Sequence, residues 1–74
     1  MVMAKSLTQR YIEGLRQRGY LQIESRSKKY LTFKHPAYSE LAFVGKGGAV
    51  RHGRTTTESI PYSDNSKAEL LGEA

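Results

Sequence analysis

The first part of the chain carries apolar residues at helical spacing. Those that define the apolar face are Leu7, Tyr11, Ile12 and Leu15. Ser6, followed by Gln9 three positions later, forms a capping box at the start of this pattern. Gly19 stands where the C′ residue of a helix belongs. The pattern predicts a helix from Ser6 to the residues before Gly19, although Gly14 in its interior costs about 1 kcal/mol relative to alanine.

Alternating apolar and polar residues follow, as in strands that are buried on one face. Leu21 and Ile23 alternate with polar neighbours, and so do Leu31 and Phe33. The polar, basic segment 25–29 between them is typical of a hairpin turn. We therefore expect two antiparallel strands, the second of which ends at His35-Pro36 because proline cannot donate to a ladder.

The rest of the chain predicts shorter elements. The apolar run 41–44 suits a third strand, but Pro36 could instead open a helix in this region as its N1 residue. Residues 49–52 suit a fourth strand, and Ile60 before Pro61 is expected to be extended. A last short helix could begin at Ser66, with Glu69 as its capping-box partner and Gly72 after its end.

These elements predict one small α+β domain over residues 1–74. An N-terminal helix would pack on a three- to four-stranded antiparallel sheet, closed by a short C-terminal helix or tail. Residues 1–5 and 72–74 are expected to fray. The side chains expected to be buried, from the apolar phase of each element, are Leu15, Ile23, Leu31, Phe33 and Phe43.

Charge is distributed unevenly along the chain. The net charge is +5, but residues 1–57 carry +8 and residues 58–74 carry −3. A basic body with an acidic tail favours a polyanionic partner. The chain lacks cysteine, which excludes disulfides and thiolate metal sites. It also lacks a signal peptide and any apolar run long enough for a membrane span, so we expect a cytoplasmic protein.

Residues 45–54 combine glycines with cations and a histidine. Glycine permits a close backbone approach to a ligand, and successive N–H groups in a tight turn attract anions. The segment lacks the Gly-Lys-Ser/Thr ending of a nucleoside-triphosphate loop, so we expect phosphate of another origin. The predicted phosphate-binding residues are Gly45, Lys46, Gly47, Gly48, Arg51, His52 and Arg54, extended by Arg26, Lys28 and Lys29.

The segment Phe43-Val44-Gly45-Lys46-Gly47-Gly48 resembles the signature loop of KH domains. In that family a Gly-x-x-Gly loop between two helices clamps the backbone of a single-stranded nucleic acid. The resemblance covers about six residues and implies that this segment uses the same kind of loop to hold a nucleic-acid backbone.

The order of elements is also similar to that of HicA-type toxins. The similar stretches are Leu15 to Tyr20, Ser27 to Tyr30 and Phe33 to Pro36. Those toxins are small basic proteins with a double-stranded-RNA-binding-like fold, and they cleave messenger RNA. Their catalytic histidine follows a Gly-Ser pair, whereas Lys28 follows Ser27 in this chain, so the resemblance carries over no catalytic residue.

Two further sets of residues bear on function. His35 and His52 could form an acid–base pair only if the fold brought them together, and two histidines alone predict no metal site. Tyrosines beside cations can stack nucleic-acid bases or simply pack at the core edge, and four tyrosines have polar neighbours in the sequence: Tyr20, Tyr30, Tyr38 and Tyr62.

The sequence thus favours a non-enzymatic nucleic-acid-binding module without cofactor or metal, with RNA slightly preferred. The alternative is a protein-interaction module, such as a phage-encoded or accessory regulator that binds an acidic host protein. A small toxin-like nuclease is the third possibility.

Overall fold

The computed structural model describes residues 5–72, which form two helices and five strands. In chain order the elements are α1 (Leu7–Gln17), β1 (Leu21–Ile23), β2 (Tyr30–Lys34), β3 (Leu41–Gly45), β4 (Val50–Gly53), β5 (Ser59–Pro61) and α2 (Asp64–Leu71). A short 3₁₀ helix, Lys46–Gly48, joins β3 to β4. The α+β class is confirmed. Most of the expected fraying, at residues 1–4 and 73–74, lies outside the described residues.

The predicted boundaries of α1 are confirmed by its capping contacts. The Ser6 side chain accepts a hydrogen bond from the Gln9 N–H at 3.2 Å. At the other end, the Gly19 N–H donates to the Arg16 carbonyl and the Tyr20 N–H donates to the Leu15 carbonyl, both at 3.0 Å. These two bonds form a Schellman motif. Local sequence signals therefore determine where this helix begins and ends.

The sheet is an antiparallel meander in the order β1-β2-β3-β4-β5. Three to four strands were predicted, and this number was wrong because the extended segment around Ile60 pairs with β4 as a fifth strand. Pro61 is compatible with that strand because β5 lies at the edge of the sheet, where a missing donor leaves no ladder bond unmade. The helical alternative at Pro36 is also excluded, since residues 41–45 form β3.

The start of α2 differs from the sequence prediction. The N-cap is Ser63 rather than Ser66, and its side chain accepts the Ser66 N–H at 3.2 Å. Ser66 is therefore the third residue of the helix. Both serines fit a capping role locally, and the helix that forms is the longer of the two. Gly72 ends α2 in a left-handed conformation, as predicted.

Both helices pack on the same face of the sheet. Phe33 and Ala42 are register partners in β2 and β3, so their side chains point to this face. The core formed here consists of Tyr11, Leu15, Phe33, Ala42, Val44, Val50 and Leu70.

Two residues that were expected in the core are exposed. Ile23 is 41% exposed and Leu31 is 38% exposed. The reasons are the face and the position in the sheet. Ile23 is on the edge strand β1 and on the face that no helix covers, whereas Leu31 is on the helix face but beyond α1, which lies over β3 and the 3₁₀ helix. Leu15, Phe33 and Phe43 are buried as predicted, although Phe43 is on the face opposite to the helices.

The helices meet at Gly14 without a side chain between them. A Cβ added at Gly14 would lie 2.0 Å from the carbonyl oxygen of Leu70. Arg18 secures the crossing, since its guanidinium donates to the Gly14 carbonyl at 3.1 Å and to the Glu69 carbonyl. The interior glycine, unfavourable for an isolated helix, is therefore required by packing. Within residues 5–72, neither helix has the length and apolar character needed to cross a membrane.

The Gly14→Ala substitution tests this crossing. The added methyl group must push α2 away, which should lower the free energy of unfolding by about 1–3 kcal/mol despite the better helix propensity of alanine. Urea denaturation measures the effect. Gln17→Ala, at an exposed position of the same helix, is the control and should change stability by less than about 0.5 kcal/mol. A midpoint for Gly14→Ala at or above that of the parent protein would contradict the close helix contact.

Candidate functional site

The sheet face opposite to the helices is named the open face. Its side chains follow from the register, which aligns Ile23, Thr32, Phe43, Arg51 and Pro61 across the five strands. Thr32 and Phe43 are buried even though no helix covers them. The β1–β2 connection lies against this face, since the Thr32 hydroxyl contacts the Ser25 hydroxyl at 3.1 Å. The centre of the open face is therefore buried, and only its margins are accessible to a ligand.

Three lysines converge at one end of the open face. Lys28 and Lys29 from the β1–β2 turn and Lys46 from the β3–β4 turn line a concavity of about 330 Å³. These three residues are named the lysine cluster. Tyr30 is in the same concavity and packs directly on the backbone of its register partner Gly45, because a Cβ there would come within 2.8 Å of its ring. The fold therefore places an aromatic ring among three cations.

The glycine-rich turn itself is directed towards α1. The Gly45 N–H donates to the Ala49 carbonyl at 2.7 Å, and the Gly48 N–H donates to the Thr8 hydroxyl at 3.3 Å. The Thr8 hydroxyl in turn donates to the Gly45 carbonyl at 3.0 Å. Gly48 has φ of 82°, and any Cβ on it would collide with Leu7. The turn needs glycine for packing, and two of its N–H groups are already engaged; Gly47, at its tip, is exposed.

The arginines predicted to bind phosphate have different environments. Arg51 is half-buried and tied to β5, with Nε 2.8 Å from the Ser59 hydroxyl and a terminal nitrogen 2.6 Å from the Ser59 carbonyl. Arg26 and Arg54 line a groove of about 830 Å³ over Ile23, Leu41 and Phe43 on the open face. The structure therefore separates a structural arginine from two arginines at the margin of the open face.

The cationic side chains fall into two groups, those that make a hydrogen bond or ion pair within the fold and those that do not. Among residues 5–72, six cations make no side-chain hydrogen bond or ion pair: Arg26, Lys28, Lys29, Lys46, Arg54 and Lys67. The first five were predicted site residues, whereas Lys67 lies on α2. By contrast, the Lys5 ammonium pairs with Glu13, and Arg18 and Lys34 bind backbone carbonyls. Five of the six cations available to a ligand thus lie along the open face, with Glu24 as an acidic residue in its groove.

A second concavity, of about 710 Å³, adjoins the far end of the open face. It is named the tyrosine cavity and is lined by Tyr20, Ala37, Tyr38, Ser39, Glu40, Leu41, His52, Arg54, Tyr62 and Ser66. Arg54 lines both this cavity and the groove on the open face. Because Leu41 and Gly45 are the two ends of β3, the tyrosine cavity and the lysine cluster lie at opposite ends of that strand.

The two histidines have separate structural roles. His52 is not on the open face; its Nδ1 lies 3.1 Å from Glu40 Oε1, and its ring meets Tyr62 edge-on at 5.0 Å. His35 has both ring nitrogens engaged with backbone, Nε2 at 3.0 Å from the Arg18 carbonyl and Nδ1 accepting the Ala37 N–H at 3.0 Å. His35 therefore has no ring nitrogen left for acid–base chemistry with His52.

Tyr62 is held in its neutral form. Burial raises the pKa of its phenol well above the ordinary value, and the neighbouring Tyr20 hydroxyl raises it further. Tyr62 thus offers a protonated hydroxyl and a ring edge rather than a nucleophile. The tyrosine cavity combines this neutral phenol with one carboxylate and one guanidinium, a mixture suited to binding a ligand that has both donors and acceptors.

Sequence reasoning did not identify Glu40 as a site residue. The available signal was its position two residues after Tyr38, in the turn that follows His35-Pro36. The ion pair with His52 joins the β2–β3 turn to β4, and local patterns do not reveal such a contact. Within residues 5–72, no group of three or more histidine, aspartate or glutamate side chains is arranged to hold a metal ion.

No protein-family model, curated protein or solved structure matches this chain. The KH-like segment joins two strands in this fold, whereas the KH loop joins two helices.

The raised pKa of Tyr62 predicts a loss of stability in alkali. Below pH about 10, the phenol is protonated in both the folded and the unfolded chain. Above that pH the unfolded chain releases the proton while the folded chain retains it, so the free energy of unfolding should decrease as pH rises. Urea midpoints measured from neutral pH to pH about 11 should fall less steeply in Tyr62→Phe. The exposed Tyr38→Phe variant should follow the parent protein, and equal slopes for all three would refute the assignment.

Proposed function

We propose that this protein binds single-stranded nucleic acid, with RNA slightly favoured, across the open face of its sheet. The single observation that carries the proposal is that five of the six predicted phosphate-binding cations, all except Arg51, have no internal partner in residues 5–72 and lie along this face. Unpaired cations in a continuous track are the electrostatic feature that attracts a phosphate backbone.

The lysine cluster forms the first contact region of the proposed interface. The three lysines line the same concavity as Tyr30, and a base can stack on an aromatic ring while neighbouring cations bind the adjacent phosphates. This arrangement suits an unpaired strand, whose bases are accessible. RNA is recognised mainly through such unstacked bases, which supports the slight preference for RNA.

The groove on the open face continues the track towards Arg54. Ile23 and Phe43 offer apolar contact to a base or sugar, and Arg26 and Arg54 supply charge at the margins. Arg51, the register partner of Phe43, adds positive charge to this face while its guanidinium stays bound to Ser59. Gly45, Gly47 and Gly48 shape the turn that presents Lys46, and the N–H groups of Gly45 and Gly48 are bonded within the fold and do not face a phosphate.

Salt-dependent binding tests the proposal. Fluorescence anisotropy would follow a short labelled single-stranded RNA and the equivalent DNA from about 50 to about 200 mM salt. The affinity should fall linearly on a log–log plot, and the triple variant K28A/K29A/K46A should reduce the slope by about 2, since each lost contact to a single strand accounts for roughly 0.7.

A matched control removes three charges from the helix side of the protein. The K5A/R16A/K67A variant has the same net charge as the triple variant of the lysine cluster. It should retain most of the parent affinity and the parent salt slope. Two results would overturn the proposal: absence of binding to RNA and DNA at low salt, or an equal loss of affinity in the two triple variants.

A protein partner is the second candidate function, and one specific observation favours it. Leu21 and Ile23 are 66% and 41% exposed on β1, the edge strand of the sheet. An extended segment of an acidic protein could pair with this edge and cover both side chains. Saturable one-to-one binding to one protein, weakened by Leu21→Asp and accompanied by no affinity for RNA or DNA, would support this function instead.

A further inference from the structure

We infer that the tyrosine cavity is a guanine-nucleotide subsite, in which Tyr38 stacks the base, Glu40 binds its Watson–Crick edge and Arg54 binds its phosphate. The inference deepens the proposed function and rests on it for the class of ligand. Its support comes from a separate set of residues at the far end of β3 from the lysine cluster.

Tyr38 is a preorganised stacking surface. One side of its ring rests on His35, with ring centroids 4.5 Å apart and planes tilted by 30°. His35 is fixed by hydrogen bonds at both ring nitrogens, and the Lys34 ammonium binds the carbonyls of His35 and Tyr38. Tyr38 remains 56% exposed although its turn is held in place. The Tyr20 ring also lies beside it, with centroids 6.3 Å apart. A ring that is held in place by its neighbours and is still more than half exposed is suited to stack a base at little entropic cost.

Glu40 provides the acceptor that selects the base. His52 Nδ1 contacts Oε1 and orients the carboxylate, while Oε2 has no hydrogen-bond partner among residues 5–72. An ionised carboxylate only accepts hydrogen bonds, and it can accept two in parallel. Guanine presents two adjacent donors, N1–H and the N2 amino group. The corresponding edges of adenine, cytosine and uracil have no two adjacent donors, so they leave one carboxylate oxygen facing an acceptor.

Arg54 provides the charge for the phosphate. It begins the turn after β4, where its N–H donates to the Glu58 carbonyl at 3.3 Å and its side chain has no partner among the described residues. Because Arg54 lines both the groove and the cavity, one phosphate beside it can join a base in the cavity to a strand on the open face. The neutral phenol of Tyr62 adds a hydroxyl to the wall without a competing negative charge.

Nucleotide titration measured by NMR and calorimetry tests the inference. With the parent protein, 5′-GMP should bind at least about tenfold more tightly than AMP, CMP or UMP, in line with the discrimination of a bidentate contact. Inosine monophosphate, which lacks the N2 amino group, should bind with intermediate affinity. Shift changes should centre on Tyr38, Glu40 and His52.

Variants assign the three roles. Tyr38→Ala should weaken GMP binding about tenfold, whereas the matched Tyr38→Phe should retain it because the ring is preserved. Glu40→Gln keeps the shape of the side chain but replaces one acceptor by a donor, and it should abolish the preference for GMP over AMP. Arg54→Ala should weaken GMP binding without changing the affinity for guanosine, which has no phosphate.

The outcomes distinguish this inference from the proposed function. The K28A/K29A/K46A variant should bind GMP like the parent protein while losing affinity for the strand. Salt-dependent strand binding without GMP binding would overturn the guanine subsite and leave the open-face interface in place. Equal affinity for the four mononucleotides, or a GMP preference that survives in Glu40→Gln, would also overturn it.

Discussion

The backbone contact between the two helices is the constraint on which the rest of this structure depends. Gly14 of α1 and Leu70 of α2 approach so closely that even a methyl group does not fit between them. This spacing allows both helices to share one face of a five-stranded sheet in a domain of only 74 residues. The opposite face is consequently free of helices, and five of the six cations without an internal partner among residues 5–72 lie on this face and at its margins. The candidate interface is therefore accessible because the two helices pack closely enough to share the other face of the sheet.

Sequence patterns predicted the features that arise from short-range contacts. The Ser6 cap, the Gly19 termination of α1 and the alternation that produces β2 each involve residues a few positions apart. The exposure of Ile23, by contrast, depends on which face of the sheet the helices cover, and no local pattern encodes this. The start of α2 is a related case: Ser63 and Ser66 both fit an N-cap locally, and the local pattern does not choose between them.

The candidate site was predicted in the same partial way. The sequence predicted the cations as a group, but it could not separate Arg51, which hydrogen-bonds to Ser59, from Arg26 and Arg54. The contact with Leu7 and Thr8 that occupies the glycine turn spans about half the chain and was likewise invisible. The ion pair of Glu40 with His52 requires the register of β3 against β4. In each case the missing information is a long-range contact, which decides whether a polar group is bonded within the fold or is exposed to solvent.

The order of strands in the sheet also has consequences for the way the chain folds. Each strand pairs with its immediate predecessor, so every step of sheet formation closes only a short loop and has a small entropic cost. The contact between Arg18 and Glu69 is different, because it joins residues 51 positions apart. During synthesis the five strands can assemble as they emerge from the ribosome, but the core over Phe33 stays incomplete until Leu70 has been made. A nascent chain that stalls in this interval leaves exposed the part of the apolar sheet face that α2 will cover, and exposed apolar surface of this kind is recognised by chaperones and drives aggregation.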